Sequence, residues 1–83
     1  MTNAPDMPTA FQVSALMRAR ECDAQALVHR RAARNWRGIA AEEEDADKRA
    51  LYETLAEGQR ALQAVQEDFA GRYCALADGA VKR

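Results

Sequence analysis

Residues 51–76 read LYETLAEGQRALQAVQEDFAGRYCAL, and their spacing decides the fold. Alternate steps of four and three from Leu51 land on Leu55, Gly58, Leu62, Val65, Phe69, Arg72 and Leu76, the rhythm of a helix packed lengthwise on another. Glu53, Glu57, Arg60, Gln63, Gln66, Glu67 and Asp68 lie between them as a solvated flank. No catalytic motif or closed metal site has this spacing. The segment implies interaction through helices.

Upstream, Thr9 follows Pro8 and precedes Gln12 by three residues, which predicts a capping box opening a helix near Ala10. From Ala10 to about Arg37 there is no Gly or Pro, and Ala, Arg, Leu and Gln favour helix throughout. Gly38 is expected to close that helix in the left-handed conformation. The acidic run Glu42, Glu43, Glu44, Asp45 and Asp47 then forms a turn, with Asp45 capping a second helix that reaches about Ala77 before Asp78 and Gly79. Residues 1–9 read as a flexible leader, 10–78 as the helical domain and 79–83 as a frayed tail.

The predicted fold is all-α: an antiparallel two-helix hairpin, about 10–37 and 45–77, assembling into a four-helix bundle as a homodimer or with a partner. In the first helix the four-three spacing picks out Val13, Met17, Arg20, Ala24, Leu27, Arg31 and Arg34. Antiparallel neighbours have residue numbers that add to a constant. A single sum, 82, sets Met17 opposite Val65, Ala24 opposite Gly58 and Leu27 opposite Leu55. The close approach of Ala24 and Gly58 would then justify a glycine that otherwise costs a helix ~1 kcal/mol.

Phe11, Ala15, Cys22, Ala26, His29, Ala33 and Trp36 fall on the other side of the first helix. This stripe is expected to face a second copy or a foreign protein, with Phe11, Leu27 and Trp36 as anchors and Arg20 and Arg31 orienting the partner. The alternative is that Trp36 folds over the hairpin tip. Arg30, Arg34 and Arg37 project together and could follow phosphates, with Trp36 stacking on a base, which makes RNA the competing partner. The acidic turn nearby is expected to neutralise them.

Composition narrows the function. With 83 residues and only 6% aromatics the chain can build one thin core, which favours oligomerisation or docking on a partner. A formal net charge of -1 gives no overall attraction to nucleic acid or anionic membranes. The abundance of arginine over lysine suits a GC-rich bacterial genome. No signal peptide or ~20-residue apolar span is present, so a cytoplasmic protein is expected, without membrane contact. Cys22 and Cys74 are too few for a disulfide scaffold, and Cys22 and His29 are ~10.5 Å apart along the axis, too far to share one zinc. His29 has no Ser, Asp or Cys partner at triad spacing. The expected function is therefore non-enzymatic, without cofactor or metal: an adaptor, chaperone or inhibitor of a bacterial or phage protein. In layout the chain, with Asp45, Ala46 and Asp47 at its bend, is similar to short bacterial helical hairpins that dimerise into four-helix bundles, but the core spacings do not superimpose. Likeness of that kind does not establish function.

Overall fold

A computed structural model describes residues 9–81, the side chains of 80 and 81 excepted, and it contains two helices packed against each other. Helix α1 spans Ala10–Glu42 and α2 spans Ala46–Val81. The start of α1 follows from local chemistry. Thr9 Oγ1 accepts from the Gln12 amide at 3.1 Å, and Gln12 Oε1 accepts from the Thr9 amide at 2.7 Å, the reciprocal pair of a capping box.

The first helix does not stop at Gly38. No glycine among the described residues has a positive φ, and α1 continues to Glu42, where the Glu43 amide donates to the Ala40 carbonyl at 3.2 Å. Tertiary packing overrides the local signal here: Trp36 stacks on Tyr52 and Ala40 is buried, so helix on both sides of Gly38 is held by α2. The bend is the short segment Glu43, Glu44 and Asp45. Asp45 caps α2 as expected, its Oδ1 accepting from the amides of Asp47 and Lys48 at 2.9 and 3.1 Å. Arg49 fastens the bend from the far side by donating to the carbonyls of Glu43 and Glu44. At the other end α2 runs through Asp78 and Gly79 to Val81. The leader 1–8 and residues 82–83 lie outside the described residues.

Extending α1 moves the bend, and the bend sets the register. Three contacts across the hairpin fix it: Gln12 Nε2 donates to the Ala77 carbonyl at 3.4 Å, His29 Nδ1 meets Gln59 Oε1 at 2.7 Å, and the Trp36 and Tyr52 rings stack at 5.7 Å. These pairs add to 88 or 89, not 82, because the midpoint has moved from about 41 to about 44.

The change of register accompanies a change of face. The buried seam of α1 is Gln12, Ala15, Ala19, Ala26, Ala33 and Ala40, with Cys22, His29 and Trp36 half-buried between them. On α2 it is Ala56, Ala70 and Ala77, interleaved with half-buried Tyr52, Gln59, Gln63, Gln66 and Tyr73. Both sets keep the three-four spacing without a break. The Leu-rich stripe expected inside the hairpin is outside it: Leu55 is 38% exposed, Leu62 46% and Phe69 45%. Ala24 and Leu27 are likewise exposed, and a Cβ added at Gly58 would meet nothing within 4 Å, so no Ala24 to Gly58 approach exists.

Bulk is a poor guide to burial in a structure of two helices. Alanine lets the axes come close, so backbone and Cβ atoms pack directly, and the α1 seam, alanine at five of its nine positions, carries no arginine, whereas the Leu27 stripe carries three. Polar seam residues find partners across the hairpin, His29 with Gln59 and Gln12 with the Ala77 carbonyl. No large side chain is fully buried anywhere among the described residues. The hairpin has a seam rather than a core.

Candidate interaction faces

An alanine seam leaves the large side chains outside. Thirteen large apolar residues among those described are exposed by between 38% and 58%. Their placement follows from the seam. On α1 the residues just after seam positions, such as Leu16 and Arg30, lie on one lateral side, and those just before, such as Phe11 and Ile39, lie on the other. Surface depressions identify which part of α2 shares each side: Leu16 lines one with Cys74, and Arg30, Arg34 and Arg37 line another with Arg60. The opposite side therefore joins Phe11, Val28 and Ile39 of α1 to Leu51, Leu55, Leu62, Val65, Phe69 and Leu76 of α2.

Two faces of unlike character result. The first holds nine of the thirteen exposed apolar residues, and the six on α2, here the α2 ridge, keep heptad spacing from Leu51 to Leu76 with Gly58 and Arg72 at the two remaining positions. So many large apolar side chains exposed on one side are uncommon on a monomer. The second is divided: Val13, Leu16 and Met17 form a small apolar patch beside Arg20, Asp23 and Cys74, and the arginines lie farther along.

The arginine depression has a volume of about 210 Å³ and is lined by Arg30, Ala33, Arg34, Arg37, Arg60 and Gln63. Arg60 is the member that sequence spacing on α1 did not reveal; only the register brings it in from α2. Among the described residues no hydrogen bond or ion pair engages any of the four guanidinium groups, and the ion pairs present are local ones, Arg18 with Glu21 at 3.5 Å and Arg72 with Asp68 at 2.9 Å. The expected neutralisation of Arg30, Arg34 and Arg37 by the acidic turn is therefore not seen as ion pairing. The extension of α1 explains this, since the last turn is now Ile39 to Glu42 and holds no basic residue.

The residues expected to bind a partner are dispersed. Phe11 borders the α2 ridge, whereas Leu27 lies on the opposite lateral side, and Arg20 and Arg31 are exposed on α1 rather than set in the seam. Trp36 is turned inward. Its ring lies nearly parallel to that of Tyr52, with an interplanar angle of 16°, so it packs half-buried across the seam against α2 rather than standing on an outer face. Cys22 and Cys74 are free thiols, one in the seam and one on the surface. Among the described residues no three His, Cys, Asp or Glu side chains gather to hold a metal ion, and no helix is long and apolar enough to cross a membrane. No family model, no curated protein and no solved structure matches the chain.

Proposed function

We propose that this protein is a non-enzymatic interaction module, of the adaptor, chaperone or inhibitor kind, that works by offering a helical apolar face for another helical surface to cover. The observation that carries this reading is the unpartnered α2 ridge, six large side chains from Leu51 to Leu76 at helical spacing. A two-helix hairpin whose buried apolar residues are all alanines gains little from its own packing, and covering the ridge supplies the apolar burial that the seam lacks. The assembled form is a four-helix bundle, with Phe11 at the border of the contact and polar residues at its rim.

The test is Leu62→Glu and Phe69→Glu, made separately. Each is expected to cost ~2 kcal/mol or more of association, read by sedimentation for self-association or by capture from the native host for a foreign partner, with helicity retained by circular dichroism. Unchanged association in both variants would refute the reading.

A second reading, RNA binding, draws support from one observation: Arg60 of α2 joins Arg30, Arg34 and Arg37 in a single depression without bonded partners. Such a cluster suits a phosphate backbone. Affinity for RNA through it should fall steeply from 50 to 200 mM salt, whereas a contact through the ridge should barely respond.

A further inference from the structure

Resting on the interaction-module reading, we infer that the occupant of the α2 ridge is a second copy of this chain, its α2 antiparallel to the first and crossed by a two-fold axis between residues 63 and 64. The ridge positions are self-complementary in that arrangement. Their numbers add to 127 in every pair: Leu51 with Leu76, Leu55 with Arg72, Gly58 with Phe69, and Leu62 with Val65. Each position is used, and none is left over. The axis also falls at the midpoint of Ala46–Val81, so two copies of α2 overlap along their whole length. Sliding one copy by seven residues keeps the spacing but strips an end of the ridge.

Gly58 supplies an independent observation. It sits in the middle of a helix, on the apolar ridge, and a side chain there would touch nothing in its own hairpin. The hairpin gives no reason for a residue that weakens the helix. The self-paired register does: the one ridge position without a side chain receives the ring of Phe69, the largest side chain on the ridge. Gly71 and Gly38 are equally open but lie off the ridge, which makes them controls.

Extent and charge agree. From Leu51 to Leu76 the ridge is ~37 Å long, and with the ~10 Å width of each helix the lateral face formed by both is on the order of 700 Å² per copy. A stable dimer commonly uses ~800 Å² per partner. Positions bordering the ridge include Thr54, Ala61 and Ala75, which are uncharged, and charged groups on that side are paired within the copy, Arg72 of the ridge with Asp68 at 2.9 Å and Arg18 with Glu21 of α1 at 3.5 Å. Self-pairing through the ridge leaves the Leu16 patch and the arginine depression outward on both copies, available for a further ligand.

Sedimentation equilibrium of the full chain should give twice the 9.2 kDa chain mass at micromolar concentration. Gly58→Leu should weaken the dimer by about tenfold or more, with helicity retained, whereas Gly71→Leu, on the same helix but off the ridge, should leave it unchanged. In a Cys22→Ala, Cys74→Ser background, mixing Leu51→Cys with Leu76→Cys chains should yield disulfide-linked pairs joining one chain of each kind, and neither variant alone should link to itself. Self-linking of Leu51→Cys, equal effects at Gly58 and Gly71, or a single-chain mass at every concentration would each overturn the inference. A single-chain mass leaves the interaction-module reading standing if Leu62→Glu still abolishes capture of a foreign protein. A dimer that survives both Leu62→Glu and Phe69→Glu removes the ridge from either role.

Discussion

Replacing Ala33 by leucine probes the feature on which the hairpin depends. Ala33 is 4% exposed, and the register set by the three cross-hairpin contacts places it beside Ala56, which is 2% exposed. Two methyl groups meet where the axes are close. Three added carbon atoms must either push the helices apart, loosening the neighbouring alanine layers, or take a strained rotamer. Overpacking of this kind costs ~1–3 kcal/mol. In a domain of this size each kcal/mol lowers the melting temperature by ~4–8 °C, so a fall of roughly 4–24 °C is expected at fixed chain concentration. The control is Ala24→Leu, the same change at an exposed position of the same helix, for which ~0.5 kcal/mol or less is expected. The assay is thermal melting followed by far-ultraviolet circular dichroism, with both variants at equal concentration. A seam built on the Leu27 stripe, with residue numbers adding to 82, makes the opposite forecast, with Ala24→Leu the damaging change. An Ala33→Leu protein that melts at or above the parent temperature would refute the close-packed alanine seam.

Other substitutions check the remaining parts. Trp36→Ala should lower hairpin stability by ~2 kcal/mol, by loss of the Tyr52 stack and of half-buried apolar area, with dimer mass unchanged at concentrations where the chain remains folded. His29→Ala leaves the Gln59 carbonyl oxygen without its 2.7 Å partner in a partly buried site and should cost ~1–3 kcal/mol in chemical denaturation. Thr9→Ala removes one half of the capping box and should cost ~1 kcal/mol, with faster amide exchange confined to the first turn of α1. Gly58→Ala meets no atom within 4 Å in the hairpin and should raise helix propensity by ~1 kcal/mol, read as increased helicity under dilute conditions where the chain is dissociated.

The sequence by itself determined the local structure of this protein: two helices, the capping box at Thr9, the Asp45 cap and an acidic bend between them. Those features depend on side chains within a few residues of the backbone groups that they satisfy, so they are legible without a partner helix. What faces what is a different kind of fact. Both helices carry two stripes at heptad spacing, and periodicity cannot rank them. The Leu-rich stripe is the more apolar, yet the alanine-bearing stripe forms the contact inside the hairpin because close axes reward small side chains at its repeated alanine positions. That choice shifted the register, carried α1 past Gly38, turned Trp36 inward and exposed Leu55, Leu62 and Phe69. It also gathered Arg60 with Arg30, Arg34 and Arg37, a cluster that no spacing along one helix could disclose. Tertiary structure decided the faces because burial is a property of pairs of surfaces, and the second surface lies some thirty residues away in the chain.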